Sequence, residues 1–427
     1  MPRLLTAFAT CIVLLSACQQ ERDPAVPEAQ PISVSDANAA VQTGAAVWYA
    51  DGFVALRGKR VGLITNHTGR VDTLHLADAL HAAEGVTLAA LFGPEHGLRG
   101  DADAGEKVDD GIDDATGAPI YSLYGRTRKP TPGMLTDVDV LVFDIQDIGA
   151  RFYTYISTMG YAMQAAAEAG LPFVVFDRPN PLGGDLVEGW TLEPEHTSFV
   201  GAYPIPVVHG LTVGELAQMI QGESWLDGLD ALDLTVVPMQ GWSRAMRWPD
   251  TGLAWVPTSP NIPDFETAQV YAGTCFFEGT TASEGRGTAT PFRLVGAPEA
   301  PHVAIATALN ATDIRGVSFT PEAFAPRSIP GMSSNPKLKD RRVNGVRLAV
   351  TDPVALQPVA AGIHVLHAFY QAQPDGFLSP DWLAKLAGTN RLRTLLLENA
   401  TPDAIVASWA DDVGRFEALR APYLLYD

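Results

Sequence analysis

Positive charge is scarce in this chain. Its 427 residues carry 29 Lys and Arg against 49 Asp and Glu, a formal net charge of −20 at pH 7. Nucleic acid is held by basic surfaces, so this balance argues against it as a partner, and against a polybasic membrane patch. Cysteine is scarcer still, with three residues at 11, 18 and 275. No apolar run reaches the roughly 20 residues that a membrane-spanning helix needs. Neither GxGxxG nor a P-loop follows the first β-rich run, so nucleotide binding has no support. GxSxG and HExxH are also missing, which removes the commonest serine-hydrolase and zinc-hydrolase patterns. Glycine (39) and proline (32) are plentiful, and 47% of the residues are hydrophobic. That describes a foldable, turn-rich chain and speaks against a helical bundle. At roughly 100–200 residues per domain, the length suggests two or three domains.

The first 18 residues, MPRLLTAFATCIVLLSAC, have the form of an address. Arg3 supplies a positive start, and Leu4 to Leu15 a short apolar run. Small residues then precede Cys18, the pattern of a bacterial lipoprotein signal. Residues 1–17 are expected to be the signal peptide, with Cys18 as the lipidation site. Residues 18–45, polar and Pro-rich, read as a flexible tether. The prediction is a lipid-anchored protein of the bacterial envelope, facing the periplasm and touching membrane through its anchor only. Gln19, rather than Asp, after Cys18 points to the outer membrane. With Cys11 in the signal and Cys18 lipidated, only Cys275 remains, so no intramolecular disulfide can form. Its neighbours Phe276 and Phe277 predict a buried thiol.

From 46 to 270, continuous apolar runs alternate with helical patterns. Strands are predicted at Val61–Asn66, Val86–Phe92, Val138–Asp144 and Leu171–Asp177, and helices over 72–84 and 154–169. Thr212, with Glu215 three residues on, forms a capping box. This alternation predicts an α/β domain with a Rossmann-like, doubly wound, largely parallel sheet. From 271 to 427 the texture changes, and a smaller α+β domain is expected to contribute loops to the cleft.

Polar residues cluster where the strands end: Asn66-His67-Thr68, Glu95-His96, Asp144 with Gln146 and Asp147, and Asp177-Arg178. In open α/β sheets, ligands bind at the carboxyl ends of the strands. Phe92-Gly93-Pro94-Glu95-His96-Gly97 sets a carboxylate in a Gly/Pro frame, as a general acid requires. Asp144 or Asp147 would supply a second carboxylate, unless Asp147 merely caps the next helix and pairs with Arg151. Gln146 would bond a sugar hydroxyl or amide, and Tyr153 and Tyr155 would stack or donate. Glu278, Glu284 and Arg286 lie in glycine-rich loops, and Ser259-Pro260-Asn261-Ile262-Pro263 would aim Asn261 inward. His67, His96, His209, Asp144 and Asp147 are metal-ligand types, but no ligand spacing joins them. No metal and no cofactor are expected.

Together these motifs resemble the exo-β-N-acetylmuramidases of the NamZ type: ITNHTG (64–69), LFGPEHGLRG (91–100), DIQDIGARFYTYISTM (144–159), FDRPNPLGG (176–184), SPNIP (259–263) and EGTTASEGRGTATPF (278–292). The resemblance runs over roughly residues 47 to 427. It implies a Rossmann-like N-terminal domain, a smaller C-terminal domain, and release of terminal N-acetylmuramic acid from the non-reducing end of peptidoglycan fragments. It also implies a catalytic role for the glutamate of GPEHG, here Glu95. The sequence departs from the pattern at EGTT (278–281), where EGTN is expected. Glycoside hydrolysis needs an acid and a second group, so Asp144 is the leading partner, with Glu278 and Glu284 behind it. The N-acetyl carbonyl is a further candidate nucleophile. A lactyl carboxylate calls for an arginine, Arg151 or Arg286. Asn66, His96, Gln146, Asp147, Tyr153, His209 and Asn261 would complete the pocket. Two other readings use the same residues: a muropeptide-binding lipoprotein without activity, and a metal-dependent amidase or deacetylase of the cell wall.

Overall fold

The computed structural model describes residues 40–98 and 110–427. The signal peptide, Cys18 and the tether up to residue 39 lie outside the described residues. In chain order the elements begin with helix α1 (Gly44–Ala50), strand β1 (Arg60–Thr65) and a small hairpin, β2 (Arg70–Val71) with β3 (Leu74–His75). Then come α2 (Leu76–Ala82), β4 (Thr87–Gly93), β5 (Gly111–Ile112), β6 (Pro119–Ser122), β7 (Val140–Asp144), α3 (Tyr155–Ala169) and β8 (Phe173–Phe176). α4 (Val213–Gly222), β9 (Leu234–Val237) and α5 (Phe265–Thr274) follow. The C-terminal part holds β10 (Leu294–Ala297), α6 (His302–Ala311), β11 (Val317–Phe324), β12 (Val343–Val350), α7 (Pro358–Ala372), α8 (Pro380–Ala387), α9 (Arg391–Leu397), α10 (Pro402–Ala407) and α11 (Ala410–Arg420).

Seven strands form one sheet in the order β5-β6-β4-β1-β7-β8-β9, parallel except for β5 against β6. Counting only the parallel strands, this is the 3-2-1-4-5-6 order of a Rossmann sheet, with the switch point between β1 and β7. The central strands β1, β4, β7 and β8 are largely apolar because both their faces are covered. Ile64, Phe92, Leu141, Phe143 and Phe173 face the core that holds α3 and α4. Val61, Leu63, Leu91, Val142 and Phe176 face α1 and α2. The Thr212–Glu215 capping box forms as expected, each side chain accepting the other's backbone N–H, at 3.2 and 3.0 Å.

The smaller part is built on an antiparallel sheet, β10-β12-β11. Its residues Val295, Phe319, Leu348 and Phe369 join the same core as α3 and α4. Gly362, unusual inside a helix, is explained by α5 packing on α7, where a Cβ at either Gly362 or Gly273 would overlap the other helix's backbone. Cys275 is a buried free thiol. One boundary differs from expectation. Residues 41–45 belong to the fold and not to a tether: Val41 is buried, and Gln42 pairs with Gln240. That pairing spans nearly two hundred residues, so no local pattern announces it.

Candidate active site

β4 runs straight into the turn that carries Glu95. Gly97 N–H donates to Pro94 C=O (3.0 Å), and both His96 (φ 69°) and Gly97 (φ 75°) are left-handed. Glycine adopts that conformation freely, whereas His96 bears a cost of about 1–2 kcal/mol, the kind of strain that gathers at functional sites. A Cβ on Gly93 would come within 3.2 Å of Leu98 N, so the turn packs tightly against β4 there. Glu95 is therefore fixed by its backbone. Thr154 Oγ1, at the start of α3, donates to Glu95 Oε2 at 2.7 Å, and the Tyr124 hydroxyl bonds the same carboxylate. Burial, with the charge of Glu95 beside it, pushes the Tyr124 phenol well above its ordinary pKa and keeps it a neutral donor.

Glu95 opens into a cavity of about 810 Å³, a size suited to a small ligand. His96, Tyr153, Glu278, Glu284 and Arg286 line it as well. Arg286 donates from Nη2 to Glu278 Oε1 (2.8 Å), its Nε lies 3.7 Å from Glu284 Oε1, and its guanidinium sits 4.9 Å from the centre of the Phe292 ring. Burial works against its charge, but Glu278 and Glu284 outweigh burial and hold its pKa above the ordinary value. Lys337 spends its three N–H bonds on the carbonyls of Phe277, Thr280 and Ala282. Its ammonium still lies 2.9 Å from Glu284 Oε2. Three carboxylates thus meet two cations across the lining, which favours positive charge developing within.

The floor is aromatic. Tyr153 OH donates to Thr258 Oγ1 (2.8 Å) and Tyr155 OH to Thr258 C=O (2.6 Å), while burial raises both phenols. Ser259 and Ile262 of the SPNIP segment reach the cavity. Asn261 instead donates to Met332 C=O (2.6 Å) and so fastens the loop whose residues 332–337 form one wall.

The other expected residues lie elsewhere, because partners distant in sequence occupy them. Asp144 is fully buried and takes both Nε and Nη2 of Arg178, at 2.6 and 2.8 Å. Asn66 Oδ1 accepts from Thr68 N and Oγ1, and Thr68 Oγ1 in turn accepts from Gln146 N. These bonds tie the ends of β1 and β7 to each other. Gln146 borders a separate cavity of about 560 Å³ with Arg178 and α1. Asp147 accepts from Gly149 N (2.6 Å), and burial lifts it to about 7.

Asp147 does not pair with Arg151. Arg151, fully buried, donates to the carbonyls of Trp190, Ile205 and Leu386 at 2.7, 2.8 and 2.9 Å. It has no path to a substrate carboxylate, which leaves Arg286 as the arginine among the described residues of the cavity lining. His67 bonds Pro257 C=O. Thr281, at the EGTT departure, is exposed and lies outside the cavity lining.

His209 is buried, its Nδ1 accepting from Leu211 N. Burial, with Arg420 and Arg151 nearby, lowers its pKa to about 3. The unfolded chain binds a proton between about pH 6.5 and 3 that the folded chain does not. Stability is therefore expected to fall as pH falls through that window. Between pH 7 and 5 the wild type should lose about 2 kcal/mol more than His209→Asn. Urea unfolding of both at the two pH values checks this, and equal losses would contradict it.

Sequence reasoning missed Tyr124, Thr154, Lys337 and Trp382 in this lining. Thr154 had a local signal, one residue before the Tyr155 that was singled out. Lys337 had none, since its partners lie more than fifty residues away.

With the geometry in place, comparison with known proteins is decisive. The N-terminal model of the exo-β-N-acetylmuramidase NamZ matches residues 61–266, and its C-terminal model residues 269–426. The chain belongs to the NamZ family. The peptidoglycan β-N-acetylmuramidase NamZ of Bacillus subtilis (strain 168) is 46% identical over 389 residues, which cover 90% of this chain and 91% of that protein. Two DUF1343 family proteins of Bacteroides fragilis NCTC 9343 have similar crystal structures. They give TM-scores of 0.83 and 0.75 at 39% and 35% identity, each match covering 91% of this chain and 99% of the other. In NamZ terms, the N-terminal region supplies Glu95, Tyr124 and Thr154, and the C-terminal region supplies Glu278, Glu284, Arg286 and Lys337.

Proposed function

We infer that the chain is an exo-β-N-acetylmuramidase acting on peptidoglycan. The observation that carries this is the convergence of Glu95, Glu278 and Glu284 on one cavity, in a chain 46% identical over most of its length to a peptidoglycan β-N-acetylmuramidase. In our reading the terminal N-acetylmuramic acid of a fragment, with or without its peptide, enters from the non-reducing end. Glu95 protonates the leaving glycosidic oxygen as that bond breaks. Glu278, Glu284 or the sugar's own N-acetyl carbonyl then meets the positive anomeric carbon, or one of the glutamates directs a water to it. Where an adduct forms, water breaks it and gives its proton to Glu95, so that free N-acetylmuramic acid leaves and the acid is restored. Asp144 drops behind the two glutamates because Arg178 already holds both its oxygens. Among the described lining residues Arg286 is the cation we assign to the lactyl carboxylate, since Lys337 already spends its N–H bonds on three carbonyls. Product analysis tests the reading. Purified protein given MurNAc-GlcNAc and longer fragments should release free N-acetylmuramic acid from the non-reducing end. Binding without release would shift the function to recognition alone.

We further propose that Cys18 carries lipid and holds the enzyme at the envelope membrane, facing the periplasm, where it would serve cell-wall turnover. The support is the LSAC sequence ahead of Gln19. Cys18→Ala is expected to move the protein from the membrane to the soluble fraction on cell fractionation. Retention of the variant in membranes would refute the anchor.

A further inference from the structure

Seven of the eight tryptophans are buried or half-buried, whereas Trp382 is 37% exposed. It also lines the cavity that holds Glu95 and Glu278. Depth in that cavity is graded, since Glu284 is 2% exposed, so Trp382 stands at its mouth. An indole partly open to water on the wall of a polar cavity offers an apolar face to a ligand that enters.

Its position is fixed relative to the chemistry. Trp382 lies on α8, and the segment leading into α8 is bonded to the segment that follows Glu278. Thr281 N donates to Phe377 C=O (2.9 Å) and Ser379 N to Gly279 C=O (2.8 Å). A Cβ on Gly279 would come within 2.7 Å of Leu383 Cα, so the two backbones touch there. The backbone of α8 is therefore tied to the segment that carries Glu278. Lys385 Nζ lies over one face of the ring, 5.7 Å from its centre, so a stacked ligand would take the other.

We propose that Trp382 is the stacking platform for the sugar that follows the cleaved residue. This rests on the exo-acting reading above. If the terminal sugar occupies the deep end near Glu284, the next pyranose emerges at the mouth. The apolar C–H face of a pyranose matches an aromatic face in size and gains dispersion and burial there. Trp382 then binds the leaving-group side and sets preference for a glycan over a small aglycone.

The test compares two substrates, MurNAc-GlcNAc and methyl β-N-acetylmuramide, whose aglycone is too small to reach the ring. Trp382→Ala is expected to lower kcat/KM about tenfold more on the disaccharide than on the methyl glycoside, chiefly through KM. Trp382→Tyr should restore most of that difference. Titrating the disaccharide into the Glu95→Gln protein, which should bind without cleaving, should change tryptophan fluorescence, and adding Trp382→Phe to that protein should abolish the change. Equal effects on both substrates, or a fluorescence change that survives Trp382→Phe, would overturn the platform. A wild type that cleaves neither substrate would instead sink the exo-acting reading, while the fluorescence titration still decides whether Trp382 holds sugar.

Discussion

Glu95→Gln should lower kcat/KM on a muramide substrate by about 10²–10⁴-fold, the range expected when a general acid is removed. The amide keeps the size of the side chain and can still accept from Thr154 Oγ1, which now donates to Glu95 Oε2 at 2.7 Å. The turn is set by backbone, through the left-handed His96 and Gly97, so the variant should fold as the wild type does. Loss of rate with an unchanged unfolding midpoint is the expected pair of results. KM should change little, because the proton is needed at the bond-breaking step. An unimpaired Glu95→Gln enzyme would move the acid to Glu278 or Glu284.

Arg151→Leu is expected to destabilise the fold by about 3–5 kcal/mol, read as a lower urea midpoint, while KM stays near that of the wild type. The guanidinium is buried with no carboxylate beside it, and burial lowers its pKa to about 9. What holds it are the carbonyls of Trp190, Ile205 and Leu386. Leucine would take the donor from the Trp190 and Leu386 carbonyls, at about 1–3 kcal/mol each before relaxation, while Ile205 C=O would keep its bond from Leu192 N. The result separates two roles. A clamp on the substrate's carboxylate would give a raised KM in a stable protein, whereas an internal tie gives the reverse.

The comparison of Glu95 with Arg151 shows what the sequence could disclose. Glu95, Glu278, Glu284 and Arg286 were legible because glycine and proline beside them fix the backbone locally, and all four line the cavity. Strands β1, β4, β7 and β8 were legible because burial on both faces leaves an unbroken apolar run. β9 was not, being four residues with three of them partly or fully exposed, nor was β11, an edge strand that tolerates Pro321.

Among polar residues, the sequence displays chemical type but not who takes the hydrogen bonds. Asp144 looked like a catalytic carboxylate until Arg178, 34 residues on, took both its oxygens. Arg151 looked like a ligand clamp, yet one of its acceptors, Leu386, lies 235 residues away. The local device was readable: the Thr212–Glu215 box forms as its spacing predicts.

The central claim is that this cavity cleaves a muramide by carboxylate chemistry and recognises the lactyl group. It is tested most directly by giving the purified enzyme a chromogenic β-N-acetylmuramide and, in parallel, the matching β-N-acetylglucosaminide. The two differ only in the lactyl ether. The account predicts colour from the muramide alone, and its loss in Glu95→Gln. Equal release from both sugars would contradict lactyl recognition, and no release from the muramide would contradict the glycosidase itself.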